Sequence, residues 1–144
     1  MRRILFVCHG NICRSPMAEM IFKQLVKQAR REAEFEIASC ATSTEEIGHD
    51  VHPAARRELQ KHGIPCPPRA ARRLTPSDYA YYDALICMES YNVRNALRVL
   101  GADPEHKISL LLPDRDVDDP WYSGDFGTAY RDIEEGCKRL LCNR

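Results

Sequence analysis

The sequence predicts an α/β protein built on a four-stranded parallel sheet with helices on both faces. Three observations lead there. Four runs of strand length occur, three of them apolar at the centre (Ile4–Val7, Asp83–Met88, Ile108–Leu112) and one alternating (Phe35–Ala38). Between and after them lie stretches whose apolar residues recur every three or four positions, the period of a helix. The two patterns alternate along the chain, and such a chain covers both faces of a parallel sheet with helices.

Ile4–Val7 is continuously apolar, as a central strand buried on both faces must be. From Pro16 onward Met17, Ile21, Leu25 and Ala29 recur every four residues, with Phe22 and Val26 widening the stripe, so this helix lies on the sheet. Phe35–Ala38 alternates, which suits a strand near an edge. A polar loop is expected from Ser39 to Val51. Pro53 opens a helix that closes on Lys61-His62-Gly63, with cations in its last turn and a glycine just past it. Pro65, Pro67 and Pro68 make 64–73 a rigid loop. Thr75-Pro76-Ser77-Asp78 carries the cap, first-turn proline and third-position acid of a helix start. Asp83–Met88 is the third strand, and Asn92–Leu100 a helix stopped by Gly101. Ile108–Leu112 is the fourth strand, ending at Pro113. Phe126, Tyr130, Ile133, Cys137 and Leu140 step by four and three along a C-terminal helix. No repeat or linker interrupts residues 1–144, which read as one domain.

Composition narrows the function classes. With 144 residues the chain can build a core unaided by metals or disulfides. The 21 basic and 21 acidic residues cancel, so no electrostatic case exists for nucleic acid or a membrane surface. Seven cysteines is an odd number, without a C-x-x-C pair or Cys/His ligand spacing, which favours free thiols in a reducing cytoplasm over a disulfide framework or a metal site. Met1-Arg2-Arg3 before an apolar run imitates a leader, but the run stops after Cys8, short of an h-region of ~7–15 residues. No stretch approaches the ~18 apolar residues of a membrane helix. The expectation is a cytoplasmic protein without a cofactor.

Chemistry concentrates in Val7–Glu19, V-C-H-G-N-I-C-R-S-P-M-A-E. Gly10 and Asn11 are the residue types that most readily adopt left-handed backbone, so a loop can curl here. Ser15 as N-cap and Pro16 at the first helical position then start the helix. A curled loop feeding a helix N-terminus turns N–H groups toward one point and makes an anion site. Cys8 lies at one end and Arg14 at the other. Such a setting favours the thiolate of Cys8, a nucleophile, while the Arg14 fork can hold two phosphate oxygens. Ser15 can donate its hydroxyl to that thiolate. Asn11 is expected to hold the loop through its side chain.

Ligands of such sheets bind beyond the carboxyl ends of the strands. After the fourth strand comes Asp114-Arg115-Asp116-Val117-Asp118-Asp119-Pro120-Trp121-Tyr122. A carboxylic acid there can protonate a leaving oxygen, and spacing leaves all four aspartates as candidates. Trp121 and Tyr122 can wall a slot for a flat ring. After the third strand comes Cys87-Met88-Glu89-Ser90-Tyr91-Asn92, with Cys87 read as a small buried apolar residue.

The string C-H-G-N-I-C-R-S-P resembles the signature loop of the low-molecular-weight protein tyrosine phosphatases, C-x-G-N-x-C-R-S-P. The resemblance implies a flavodoxin-like three-layer α/β/α sandwich and metal-independent hydrolysis of phosphotyrosine, and of small aryl phosphates, through a cysteinyl-phosphate. It implies Cys8 as nucleophile and Arg14 as phosphate clamp, within a phosphate-binding loop of His9, Gly10, Asn11, Ile12, Cys13 and Ser15. Among the aspartates it selects Asp119, which the family's Asp-Pro-aromatic pattern matches, as general acid and then base. It suggests Cys13 as the thiol that traps oxidised Cys8, and Tyr122 as a residue phosphorylated by a tyrosine kinase. The partner is then a tyrosine-phosphorylated protein. Cys87–Asn92 resembles the family's C-M-D-x-x-N segment and is expected to support the loop from behind. One departure stands out: Arg69 occupies the position where the family usually carries a histidine supporting the loop's asparagine and serine.

Three other readings share these residues. Protein-arginine phosphatases of the same fold tend to have Thr where Ile12 stands. Arsenate reductases need two more redox cysteines near the end of the third strand, where only Cys87 lies. A phosphate-binding module needs neither Cys8 nor Asp119.

Overall fold

The computed structural model describes residues 1–142. Four strands form one parallel sheet: β1 (Arg2–Cys8), β2 (Phe35–Ala41), β3 (Ala84–Cys87) and β4 (Ile108–Leu110), in the order β2-β1-β3-β4. The helices are α1 (Arg14–Gln28), α2 (Pro53–Lys61), α3 (Pro76–Tyr81), α4 (Ser90–Leu100), α5 (Pro120–Ser123) and α6 (Phe126–Cys142), with a single 3₁₀ turn at Glu32–Glu34. The final two residues of the expected 1–144 domain lie outside the described residues.

The alternation of side chains along β1 assigns the two layers. Ile4, Phe6 and Cys8 face a core shared with Met17, Ile21 and Phe22 of α1, Ala55 and Leu59 of α2, and Ile133 and Cys137 of α6. Leu5 and Val7 face the other way, into a core with Leu74, Tyr82, Leu85, Cys87 and Ala96. Helices thus cover both faces, as expected of a central strand apolar throughout. Gly136 of α6 allows close contact with the sheet layer, since a Cβ there would run into the side chain of buried Leu111.

β1 pairs with β2 on one side and β3 on the other, and the chain leaves β1 toward β2 before crossing back to β3. That reversal of strand order opens a crevice at the carboxyl end of β1, the usual ligand position in doubly wound sheets. Cys8 is its last residue.

Three local expectations are corrected. β2 runs on to Ala41, so Ser39 and Cys40 belong to the strand and not to the polar loop, because parallel pairing with β1 continues through Cys8–Ala41. Helix α1 begins at Arg14 with Cys13 at its N-cap, so Ser15 and Pro16 sit inside the first turn, and the Ser15 hydroxyl turns to other partners. Helix α4 begins at Ser90, two residues earlier than the apolar pattern indicates.

Candidate active site

The loop between β1 and α1 curls around the sulfur of Cys8. Asn11 makes the turn with φ of 60° and is fully buried. Its backbone N–H donates to Cys8 Sγ at 3.3 Å, and Ser15 Oγ lies 3.0 Å from the same sulfur. The Asn11 amide nitrogen donates to Ser15 Oγ at 2.7 Å and to Ser39 Oγ at 3.0 Å. Backbone bonds fix the loop to its surroundings: the N–H groups of Thr42, Ser43 and His52 donate to the carbonyls of Cys8, His9 and Ile12. The loop is therefore held from β2 and from the start of α2 as well as by its own turn.

Arg14 is 2% exposed, among the most deeply buried large side chains of the protein. Its Nη1 donates to Glu89 Oε2 at 2.6 Å and to the Val117 carbonyl at 2.8 Å, and Nη2 to Asp119 Oδ2 at 3.3 Å. Burial opposes the cation, but the negative charges at Cys8, Asp119 and Glu89 outweigh it and hold the guanidinium above its ordinary value. A buried cation needs such partners. The Val117 N–H bonds the Met88 carbonyl at the end of β3, which ties the acid loop to the sheet.

Asp119 caps α5, its Oδ1 accepting from the Trp121 N–H at 3.0 Å, and Pro120 takes the first helical position. The cap leaves Oδ2 toward Arg14. Trp121 stands half-exposed, edge-on to His52 at 5.6 Å between ring centres, and Tyr122 is 85% exposed.

One cavity gathers most of the expected residues: Cys8, His9, Gly10, Ile12, Cys13, Arg14, Asp119, Trp121 and Tyr122 all line it. Asn11 and Ser15 lie beneath its floor, fully buried. Cys13 is a free thiol pushed up to about 12, first by burial and then by the charge at Cys8. His9 approaches Glu45 at 3.1 Å at the rim.

Sequence reasoning missed three contributors. Glu45 and Glu46 also line the cavity, from a loop that carried no motif. Glu89 was expected to support the loop from behind, yet its carboxylate meets the guanidinium of Arg14 directly. An acid just past the carboxyl end of β3, next to the strand that bears Cys8, was the available signal. Arg69, the departure from the family pattern, does take up the supporting position: Nη1 donates to the Asn11 carbonyl at 2.9 Å and Nη2 to Asn11 Oδ1 at 2.5 Å.

A sulfur receiving two hydrogen-bonding groups, a buried guanidinium and a capped carboxyl thus share one crevice, an arrangement suited to an anion that is attacked at its centre and protonated at its leaving atom. The family model described as low molecular weight phosphotyrosine protein phosphatase matches residues 3–143. The phosphatases of that name from Gallus gallus and Schizosaccharomyces pombe are 38% and 39% identical, covering 97% and 96% of this chain and 94% of each relative. The crystal structure of YfkJ from Bacillus subtilis superposes with a TM-score of 0.94 at 33% identity, covering 99% of this chain and 93% of that one. The low molecular weight protein tyrosine phosphatase of Streptococcus pyogenes gives 0.92 at 34% identity, over 99% and 92%. With the signature loop, the sheet order and nearly the whole length in agreement, this chain belongs to the low molecular weight phosphotyrosine protein phosphatase family.

Proposed function

We propose that this protein hydrolyses phosphotyrosine in proteins, and small aryl phosphates, through a cysteinyl-phosphate. Cys8 Sγ attacks phosphorus, the P–O bond to the tyrosine breaks, and Asp119 delivers a proton to the departing phenol oxygen. Arg14 holds the phosphoryl oxygens throughout. In the second step water attacks phosphorus, Asp119 takes its proton, and the P–S bond breaks to return the Cys8 thiolate and release inorganic phosphate. The Ser15 hydroxyl steadies the thiolate as it leaves. Trp121 and Tyr122 flank the crevice and suit a flat leaving group.

The observation that carries this reading is the convergence of Cys8, Arg14 and Asp119 on one cavity at the carboxyl end of β1. The test is phosphate release in EDTA from matched phosphotyrosine and phosphoarginine peptides. Phosphotyrosine is expected to be preferred. Cys8→Ser is expected to abolish release and Asp119→Ala to slow it by about 10²–10⁴, the usual contribution of a positioned acid. A preference for phosphoarginine would overturn the substrate class, and turnover unaffected by Cys8→Ser would overturn the mechanism.

Two finer proposals accompany it. A peroxide that oxidises the Cys8 thiolate to a sulfenic acid, and is itself reduced to water or an alcohol, would let the Cys13 thiol condense with it, forming the S–S bond and releasing water; both thiols are free and line the same cavity. Tyr122 is open to a tyrosine kinase, its ring lying almost wholly in solvent. The seven free cysteines accord with work in a reducing cytoplasm.

A further inference from the structure

Resting on the reading above, we propose that Arg69 is a positioning residue that sets the direction of a hydrogen-bond chain, Arg69 to Asn11 to Ser15 to Cys8, so that the Ser15 hydroxyl hydrogen is always aimed at the sulfur.

A guanidinium has donors only. Its two terminal nitrogens grip Asn11, Nη1 on the carbonyl at 2.9 Å and Nη2 on Oδ1 at 2.5 Å, with Nη2 also 3.4 Å from Ser39 Oγ, and the Arg72 N–H is a second donor to that Oδ1 at 3.2 Å. The amide of Asn11 therefore has one acceptable orientation. Reversed, its NH₂ would face two donors. In the allowed orientation the NH₂ faces Ser15 Oγ at 2.7 Å and Ser39 Oγ at 3.0 Å. Ser39 is independently polarised the same way, because its own hydrogen goes to Glu19 Oε1. Ser15 Oγ, already accepting from Asn11, has one hydrogen left. Cys8 Sγ at 3.0 Å is the nearer target and the Cys40 carbonyl at 3.5 Å the farther. The same fork also restrains Asn11 at φ of 60°, a conformation that costs a side-chain-bearing residue energy, and so keeps the Asn11 N–H on the sulfur.

The histidine usual at this position in the family offers a donor only on the ring nitrogen that its tautomer protonates. Arg69 offers two fixed donors and never an acceptor. Arg69 thus acts on the sulfur through two intermediates, Asn11 and Ser15, both of which touch it.

The test is a double-mutant cycle of the native chain, Arg69→Met, Ser15→Ala and the pair. One readout is the rate at which iodoacetamide alkylates Cys8 at pH 6, followed by the mass of the Cys8 peptide, which needs no turnover. The other is kcat and KM for p-nitrophenyl phosphate. Arg69→Met is expected to slow alkylation and kcat about five- to tenfold, the net worth of one ordinary intramolecular hydrogen bond, with KM within about twofold. In the Ser15→Ala background the same change should slow either rate less than about twofold. Equal slowing in both backgrounds, or a raised KM with kcat unchanged, would overturn the proposal. Arg69→Lys, which fills the space and reaches one acceptor at a time, is expected to fall between native and Met. It also serves for the cycle should the Met variant fail to fold, and a Lys variant equal to native in every readout would overturn the fork as the cause. Coupled alkylation without any phosphate-ester turnover would support the chain while rejecting the hydrolase reading.

Discussion

At the scale of single residues, the site is a set of polar groups that each need a partner before they can be buried. Arg14 illustrates the point. A guanidinium almost without solvent contact needs compensation, and Glu89, Val117 and Asp119 supply it from two different strand ends. Glu89 shares Nη1 of Arg14 with the Val117 carbonyl and is expected to hold the fork in its pose. Glu89→Gln should therefore lower kcat/KM for an aryl phosphate by about 10–100-fold, equivalent to ~1.5–3 kcal/mol for a hydrogen bond to a charged group. Steady-state kinetics check this, and a change below about threefold would remove Glu89 from the positioning of Arg14. Little of this was legible from spacing. Cys8 and Arg14 stand out because only five residues separate them in one loop, whereas Glu89 lies 75 positions from Arg14 and reads as an ordinary charged residue before a helix.

At the scale of elements, apolar periodicity together with cap and stop signals located every main strand and helix, and local chemistry misled only at their ends. Ser15-Pro16 is a persuasive helix start, yet the helix begins one residue before Ser15, because the serine hydroxyl is engaged by Asn11 and the sulfur. The four-residue helix α5 had no apolar period to reveal it; Asp119 and Pro120 set it up by capping alone. Close packing between elements is equally invisible in one sequence. Gly136 looks like a weak spot in a helix, but it is where α6 meets Leu111. Gly136→Ala adds helix propensity worth up to about 1 kcal/mol, and against this the overpacking costs about 1–3 kcal/mol. The expected net result is a loss of ~1 kcal/mol in urea unfolding, with the m-value unchanged. An equal gain would mean that Leu111 repacks freely.

At the scale of the whole molecule, the buried thiols make the fold sensitive to alkali. Burial, the main cause for both, pushes Cys13 and Cys87 from an ordinary 9.0 up to about 12, and Cys40 and Cys137 are raised for the same first reason. The unfolded thiols lose their protons near 9, while the folded ones keep them until about 12. This contribution to stability is accordingly complete below pH 9 and lost as pH rises through about 12. Each such thiol withdraws about 1.4 kcal/mol per pH unit in that window, so Tm should drop by several degrees per unit above pH 9. Melting curves from pH 7 to 11 measure it, and a flat Tm would contradict burial of these thiols in the folded state. Among the described residues, no helix is long and apolar enough to cross a membrane. What the sequence by itself determined was the order of strands and helices, the loop that carries Cys8 and Arg14, and the family, because periodicity and a contiguous motif are local properties of the chain. Only the tertiary structure decided that Glu89 pairs with Arg14, that Glu45 and Glu46 rim the cavity and that Arg69 grips Asn11. Those contacts join residues tens of positions apart, and the strand order around β1, with the loops after β2 and α2 bonded to one another, brings them to one crevice.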